Sequence, residues 1–249
     1  MSALSGKRIL VTRPRRQAAE LCDKLAALGA TPIRFPTIEI APMEDYTALD
    51  NTIRCLEKYH WIIYTSVNGV AAFWKRLDLT GLKDLSGLRF AAIGPATAQA
   101  LGKRDVQAHF IPDEYVAERI LDGLGDVKGH WILLPRAELA REALAVELAA
   151  RGAVVHEIAA YRTLPAAPDP GGLAELRRGV DVVTFTSSST VRNFIELTKT
   201  YTLPRSAIAC IGPITAQTAR DHGLSVDILA TEYTMDGLVA AVANYFLRN

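Results

Sequence analysis

The chain has 249 residues, of which 49% are hydrophobic and 22% are charged, and its formal net charge is +1. This composition is typical of a globular protein built from one large domain or two modest ones. A net charge so close to zero argues against a broad binding surface for nucleic acid or for an anionic membrane.

The amino-terminal segment and the cysteines indicate the compartment. In MSALSGKRILVTRPRR, charged residues interrupt the chain before any stretch long enough for a signal peptide, and no window approaches the roughly 20 apolar residues of a membrane span. Cys22, Cys55 and Cys210 are odd in number and form no CxxC pair, which suits a reducing cytosol. We expect a cytoplasmic protein that contacts neither membrane nor nucleic acid.

Short apolar runs alternate with amphipathic segments rich in alanine and leucine. The apolar runs predict strands at 8–11, 61–64, 90–92, 131–134, 182–185 and 208–210. The amphipathic segments predict helices that include 18–28, 137–150 and 191–198. Strands of continuous apolar character, each followed by a helix, are typical of parallel sheets covered on both faces. The sequence therefore predicts an α/β fold.

The chain also repeats itself once. GKRILVTR, ending at Arg13, recurs as GHWILLPR, ending at Arg136, 123 positions later. YTSVNGVAAF recurs as FTSSSTVRNF at a shift of 121, and AIGPATAQAL recurs as CIGPITAQTA at a shift of 118. Shifts that change only by small loop deletions predict two copies of one series of βα units.

Segments rich in proline and glycine lie at 36–42 and 164–172, the same place in each copy, after its second predicted strand. The simplest arrangement exchanges the first strand–helix–strand of each copy, so that it packs with the remainder of the other copy. We therefore predict two lobes and two linkers. Lobe one comprises 1–36 plus 166–249, lobe two comprises 43–158, and the linkers are 37–42 and 159–165.

Ligands of open parallel sheets bind beyond the carboxyl ends of the strands, where helices begin. The six predicted junctions of this chain hold hydroxyls, glycines, an amide and arginines, but no aspartate or glutamate. Helix amino termini favour anions, and Pro14, Pro95 and Pro213 suit a first helical turn. As a set, the junctions predict an anion-binding edge. Each serine or threonine taken singly is better explained as a helix cap than as a ligand contact, and that alternative stays open.

Motifs for other chemistry are missing from the sequence. No GxGxxG follows a strand, and neither a phosphate-binding GxxxxGK[ST] loop nor a GxSxG elbow occurs. The five histidines show no metal-ligand spacing. We therefore expect no metal and no cofactor.

The strings VTRP, YTSVNGV, AIGPATAQAL, LLPRAELAREAL, AYRT, FTSSSTVRNF and CIGPITAQTA resemble the uroporphyrinogen-III synthase family in order and spacing, over nearly the whole chain. The resemblance implies two similar, flavodoxin-like parallel lobes, joined by two linker strands, with a cleft between them. It also implies a cofactor-free, monomeric lyase. Such an enzyme cyclises hydroxymethylbilane, handed over from hydroxymethylbilane synthase, to uroporphyrinogen III and inverts ring D through a spiro intermediate.

The same resemblance assigns roles to particular residues. Tyr161, in AYRT, is the expected catalytic residue, which assists departure of the substrate hydroxyl or steadies the resulting cation. Two positions depart from the family pattern, because Asn68 becomes Ser189 in the second copy and Gly69 stands where alanine is usual. The expected substrate-binding residues are Thr12, Arg13, Ser66, Asn68, Thr97, Arg136, Ser187, Ser189 and Thr215.

Two other classes of protein share the predicted outline. A two-lobed glycosyltransferase would need a nucleotide-binding glycine loop and an acidic ribose ligand, and the sequence has neither motif. A two-lobed small-molecule binding protein or sensor fits the strand ends equally well, although the missing export signal argues against it. Product formation distinguishes a binding protein from an enzyme.

Overall fold

A computed structural model describes residues 2–82, 84–112, 117–140 and 143–248. Its strands are β1 (Arg8–Val11), β2 (Thr31–Arg34), β3 (Ile38–Ala41), β4 (Trp61–Tyr64), β5 (Arg89–Ala92), β6 (Trp131–Ala137), β7 (Val154–Pro165), β8 (Val182–Phe185), β9 (Ala207–Cys210) and β10 (Ile228–Leu229). Its α-helices are α1 (Ala18–Ala27), α2 (Thr47–Ile53), α3 (Val67–Thr80), α4 (Pro95–Gly102), α5 (Ala117–Ile120), α6 (Ala143–Ala150), α7 (Pro170–Arg178), α8 (Ser188–Thr198), α9 (Pro213–Asp221) and α10 (Met235–Arg248). None of the helices in these ranges combines the length and the apolar character needed to cross a membrane.

The predicted strands 8–11, 61–64 and 182–185 are confirmed as β1, β4 and β8. The predicted helix 137–150 is wrong at its beginning, because β6 continues to Ala137 and α6 begins only at Ala143. β6 pairs with β7 as far as Ala137, and the Glu138 amide donates to the backbone oxygen of Tyr161, so sheet pairing overrides the helix propensity at the start of the predicted helix. Residues 141 and 142, also within the predicted helix, lie outside the described residues.

The prolines at the strand ends behave in two ways. Pro95 and Pro213 begin α4 and α9, as predicted. Pro14 does not begin α1, because its backbone is extended (ψ 141°) and it precedes a short 3-10 turn at Arg15–Gln17. The helix that follows β1 therefore begins only at Ala18, and the 3-10 turn separates its amino terminus from the strand end.

The chain divides into two compact units. Unit 1 comprises Met1–Glu39 and Leu164–Asn249, and unit 2 comprises Ile40–Thr163. The sheet of unit 1 has the strand order β10-β9-β8-β1-β2, with parallel neighbours throughout, so β1 pairs with β8 across more than 170 positions of sequence. The second sheet has the order β3-β7-β6-β4-β5, and β7, β6, β4 and β5 are parallel. The predicted α/β class with two parallel sheets is confirmed.

Both sheets are covered on both faces, as continuous apolar strands require. In β4, Ile62 and Tyr64 enter one buried cluster, whereas Trp61 and Ile63 enter the cluster on the opposite face. In unit 1, β8 divides in the same way, with Val182 and Val183 in different clusters. Each core therefore packs against both faces of its own sheet and fixes where the strands of that sheet end.

Thr37 ties the segment after β2 to the rest of unit 1. Its side chain is fully buried, and its hydroxyl lies 3.1 Å from the carbonyl oxygen of Thr190 and 3.3 Å from that of Thr12. The backbone amide of Thr37 donates to the carbonyl oxygen of Thr12 (3.1 Å), and the backbone carbonyl oxygen of Thr37 accepts from the amide of Ala166 (3.1 Å). One threonine thus fixes the end of β1, the first turn of α8 and the segment that follows β7.

Gly69 permits a close approach between α3 and β6. A Cβ atom on Gly69 would lie 2.6 Å from the carbonyl oxygen of Pro135, a distance that real Cβ atoms do not show. Pro135 is buried in β6 immediately before Arg136. The glycine that departs from the family pattern therefore sets how closely two candidate site segments pack.

We expect Gly69→Ala to lower the free energy of unfolding in urea by about 1–3 kcal/mol, because backbone must move to admit the methyl group. The matched control is Gly102→Ala at the end of α4, where a Cβ atom meets nothing within 4 Å. That control should raise the free energy of unfolding by up to about 1 kcal/mol, since alanine favours the helix. A stabilising effect of both substitutions would contradict the close approach.

Candidate active site

The candidate residues lie at the carboxyl edge of each sheet, because the strands that carry them are parallel. In unit 2 the edge follows the strand order β7, β6, β4 and β5, and it carries Tyr161, Arg136, Ser66, Asn68 and Thr97. In unit 1 the edge follows β9, β8 and β1, and it carries Thr215, Ser187, Ser189, Thr12 and Arg13. Each edge therefore brings together side chains that are far apart in the sequence.

Tyr161 is the centre of a hydrogen-bonded group in unit 2. Its hydroxyl lies 2.9 Å from that of Ser66, and the Asn68 side chain bonds the same phenol. Ser66 also caps α3, because its Oγ accepts the amide of Gly69 at 3.1 Å. The cap and the tyrosine contact share one oxygen atom. Ser66 is therefore both a helix cap and a partner of Tyr161, and its contact with a ligand stays a prediction.

A β-bulge in the pairing of β6 with β7 determines to which face of the sheet the Tyr161 side chain points. Arg136 lies opposite Ala159, but Ala137 lies opposite Tyr161, so β7 has one extra residue, Ala160. The consecutive residues Ala160 and Tyr161 consequently enter the same buried cluster, whereas an unbroken strand would send them to opposite faces. Such bulges re-aim side chains next to functional sites. The backbone amide of Glu138 then donates to the backbone carbonyl oxygen of Tyr161 (2.9 Å). This hydrogen bond holds the loop after β6.

The Tyr161 phenol is held in its neutral form. Burial raises the pKa of Tyr161 above its ordinary value, and the hydrogen bonds from Ser66 and Asn68 and the charge of Arg136 oppose this effect more weakly. A neutral phenol keeps its proton and can donate it to a leaving oxygen. The site thus has a hydrogen-bond donor beside a positive charge.

Arg136 forms an ion pair with a carboxylate of its own unit. The residue is 9% exposed, and its guanidinium forms an ion pair with Glu157 of β7. Sequence reasoning missed Glu157, because an acidic residue in the middle of a strand lies outside the junctions. The sheet register pairs Leu134 with Glu157, and this brings the side chains of Arg136 and Glu157 within reach of each other.

The edge of unit 1 is built from caps. Ser187 caps α8, and with Thr190 it forms a reciprocal capping box. The hydroxyls of Ser187 and Ser189 lie 2.9 Å apart. Thr215 lies in the first turn of α9, and Thr97 of unit 2 lies in the equivalent first turn of α4. The helix dipole favours an anion at both places, and both residues are almost fully buried. Substrate contacts of these residues stay a prediction.

The Thr12 side chain faces inward. It is fully buried, and its hydroxyl donates to the carbonyl oxygen of Thr184 in β8 at 2.7 Å. Thr184 in turn donates to the carbonyl oxygen of Leu10 at 2.8 Å. This pair of hydrogen bonds joins β1 to β8, and a contact between Thr12 and a ligand would require the first of them to break.

The described residues hold neither a metal-binding group nor, at Cys210, a reactive thiolate. Within the described ranges, no group of three or more histidine, cysteine, aspartate or glutamate residues is placed to hold a metal ion. The buried thiol of Cys210 has its pKa raised to about 12 by burial, so it is not a thiolate nucleophile near neutral pH.

The fold defines a two-unit α/β protein whose two parallel sheets carry arginines, helix amino termini and a neutral tyrosine at their carboxyl edges. The family model described as "Uroporphyrinogen-III synthase HemD" matches residues 19–240. The chain belongs to the uroporphyrinogen-III synthase family, whose members are enzymes of tetrapyrrole biosynthesis.

Individual relatives agree with this assignment. Uroporphyrinogen-III synthase of Synechococcus elongatus is 35% identical over 97% of this chain and 96% of its own length. That of Chlorobaculum parvum is 32% identical over 95% of this chain and 98% of its own length. A crystal structure of a mutant uroporphyrinogen III synthase from Thermus thermophilus covers 98% of this chain and 100% of its own, with a TM-score of 0.69 and 21% identity, which supports the fold.

The raised pKa of Tyr161 has a measurable effect on stability. In the unfolded chain the phenol titrates near pH 10, whereas the folded protein holds the proton to higher pH. The contribution of this phenol to the free energy of unfolding is therefore fully present below about pH 10. It is lost as the pH rises through the pKa of the folded protein. We expect Tyr161→Phe to lose less free energy of unfolding than the unsubstituted protein between about pH 9.5 and 11. Urea unfolding at several pH values measures how steeply the free energy of unfolding of each protein falls with pH. Equal slopes for the two proteins would contradict the prediction.

Proposed function

We propose that this protein cyclises hydroxymethylbilane to uroporphyrinogen III, inverting ring D and releasing water. Family membership supports the reaction class. The observation that carries the assignment to a site is the buried, neutral Tyr161 phenol, hydrogen-bonded to Ser66 and Asn68 at the carboxyl edge of unit 2. This is where a parallel sheet presents its ligand.

In the proposed first step, the bond between the ring A methylene carbon and its hydroxyl oxygen breaks. Tyr161 donates its phenolic proton to that oxygen, so water leaves and an azafulvene cation forms. Donors from Ser66 and Asn68 and the charge of Arg136 stabilise the phenolate that remains, in the way that such contacts lower a phenol pKa. The phenolate then lies beside the cation and stabilises it by electrostatic attraction.

In the following steps the cation bonds to the substituted α-carbon of ring D, which gives a spiro-pyrrolenine. Fragmentation and reclosure reverse ring D, and a proton is lost when aromaticity returns; it can restore the Tyr161 phenol. The uncatalysed chain closes at its free end instead and gives the type I isomer. The protein must therefore favour one folded shape of a flexible octa-acid, and catalysis is largely a matter of positioning.

The dispersed donors of the two edges suit a substrate with eight carboxylates. Each cap and helix amino terminus can offer a hydrogen bond to one carboxylate, so no single contact carries the binding. Thr12 is the exception, because its hydroxyl is used between β1 and β8. The proposed binding residues are Arg13, Ser66, Asn68, Thr97, Arg136, Ser187, Ser189 and Thr215.

The proposal includes the setting of the reaction. We propose a monomer as the working form, as the family resemblance implies. We place the enzyme in the cytoplasm, where it receives the bilane from hydroxymethylbilane synthase. It needs no cofactor, because the substrate itself carries the leaving group and the nucleophilic carbon.

The deciding experiment measures the product isomer. Hydroxymethylbilane is generated in situ from porphobilinogen and its deaminase, with and without this protein, and the oxidised porphyrins are separated by chromatography. We expect type III to predominate with the protein and type I without it. Only a site that holds ring D against the cation can reverse the default closure.

A binding protein could protect the bilane from closure but would have no reason to invert one ring. The isomer ratio therefore separates an enzyme from a binding module more sharply than an affinity does. An unchanged excess of type I, obtained with protein shown by circular dichroism to be folded, would overturn the proposed function.

We expect Tyr161→Phe to lower kcat by about 10- to 1,000-fold without abolishing turnover, since one general acid contributes a rate factor of this order and positioning survives. The matched control is Tyr64→Phe in the same unit. Its hydroxyl is buried without a hydrogen-bond partner in the described structure, and Phe185 occupies the equivalent place in the repeat.

Tyr64→Phe should leave kcat within about twofold of the unsubstituted value, because it removes no interaction of the site. Thr215→Val should lower kcat by less than Tyr161→Phe, since binding is shared among many donors. Equal rates for Tyr161→Phe and Tyr64→Phe, measured as initial formation of type III, would remove Tyr161 from the mechanism.

A further inference from the structure

An acidic residue of β7, Glu157, adjoins the hydrogen-bonded group around Tyr161. The Glu157 side chain is 36% exposed, and its carboxylate forms an ion pair with the guanidinium of Arg136, a buried residue of β6. A guanidinium that is buried in this way is costly to keep without a carboxylate beside it. The ion pair therefore fixes where the positive charge of Arg136 lies.

The same guanidinium acts on the Tyr161 phenol. Arg136 immediately precedes Ala137, which lies opposite Tyr161 in the pairing of β6 with β7. Among the described residues, the charge that affects the Tyr161 phenol is that of Arg136, and it favours the phenolate. The carboxylate, the guanidinium and the phenol thus form a series, in which Glu157 contacts Arg136 and Arg136 influences Tyr161. The remaining side-chain partners of the phenol, Ser66 and Asn68, are uncharged.

In the internal repeat, the carboxylate occurs in the copy that has the phenol. At the shift of 123, Tyr161 has Ile38 as its counterpart, and Glu157 has Arg34. Unit 1 keeps an arginine, Arg13, at the position equivalent to Arg136 but has neither the phenol nor the acid. The proton donor and the carboxylate that pairs with the neighbouring arginine are therefore found together.

We infer that Glu157 is a positioning residue of the reaction: its carboxylate holds the Arg136 guanidinium beside the Tyr161 phenol and opposes the positive charge of that guanidinium. The inference rests on the proposed function, in which loss of water leaves a phenolate beside an azafulvene cation. An unopposed guanidinium would stabilise the phenolate but repel the cation. The ion pair keeps the arginine in place without adding a net positive charge next to that cation.

The test replaces Glu157 with a neutral residue of the same shape. In Glu157→Gln the amide oxygen can still accept a hydrogen bond from Arg136, but the negative charge is gone. We expect kcat for formation of type III to fall by about 3- to 10-fold, because the full charge of Arg136 then repels the cation.

The proton affinity of Tyr161 gives a second readout, which does not depend on activity. The pKa of Tyr161 should fall in Glu157→Gln, since the unopposed charge of Arg136 favours the phenolate more strongly. NMR titration of protein labelled with carbon-13 in its tyrosine rings measures this pKa, and Tyr161→Phe identifies the signal. The basic limb of the kcat profile should move to lower pH in the same variant.

The matched control is Glu44→Gln. Glu44 forms an ion pair of 2.5 Å with Arg162, the residue after Tyr161, so this substitution also removes a carboxylate from an arginine of β7. The charge of Arg162 is not among those that affect the Tyr161 phenol. The control should therefore leave the pKa of Tyr161 unchanged and kcat within about twofold of the unsubstituted value. Circular dichroism shows that each variant is folded.

A double-substitution cycle tests whether Glu157 acts through Arg136. Arg136→Gln should raise the pKa of Tyr161, since a charge that favours the phenolate is lost. Adding Glu157→Gln to that variant should not change the pKa further, because no guanidinium remains for the carboxylate to hold or oppose. A purely structural role of Glu157 would lower thermal stability without moving the pKa of Tyr161 in either background, and that result would overturn the inference.

The outcomes separate this inference from the proposed function. Unsubstituted protein that yields only the type I isomer overturns both. Unsubstituted protein that yields type III, with equal kcat and equal Tyr161 pKa for Glu157→Gln and Glu44→Gln, leaves the function standing and overturns the role of Glu157. A fall in the Tyr161 pKa that persists in full in the Arg136→Gln background would also overturn it, because the carboxylate would then act on the phenol directly.

Discussion

Parallel strand pairing is the constraint on which the rest of the structure depends. A parallel sheet must be covered on both faces and crossed by helices between strands, so each strand ends at the same edge and leads to a helix start. In both sheets this edge gathers capped helix amino termini, glycines and arginines from distant parts of the sequence. Free backbone amides supply hydrogen-bond donors at such an edge, which favours anionic ligands, and side chains refine that preference.

Duplication supplied two such edges, and later substitution made them chemically different. Ser66 and Ser187 cap equivalent helices, which preserves the fold in both copies. Tyr161 has Ile38 as its counterpart at the shift of 123, and Glu157 has Arg34, so the phenol and the ion pair exist in one copy only.

The sequence predicted much of this arrangement because the relevant signals are local. Strands such as 61–64 and 182–185 are short, apolar and bounded by polar residues, and the repeat aligns the junctions that follow them. The serine caps were predicted for the same reason, since a cap acts on amides two or three residues away. The helix predicted at 137–150 failed at its beginning because β7, a distant segment, extends the pairing of β6. Thr12 appeared as an open hydroxyl because its acceptor, the Thr184 oxygen, is 172 residues away.

By itself, the sequence determined the α/β class, the duplication, the candidate residues and the family, because periodicity, spacing and motif order are properties of the chain. Only the tertiary structure decided how the candidates are used. The extra residue Ala160 turns Tyr161 towards Ser66, and Glu157 takes up the charge of Arg136. Thr37 joins three segments through its hydroxyl and its backbone, and Arg13 has no carboxylate partner within the described residues. The physical reason is common to all four: pKa, ion pairing and hydrogen-bond satisfaction depend on distances in space, and these arise when sheet register brings remote residues together.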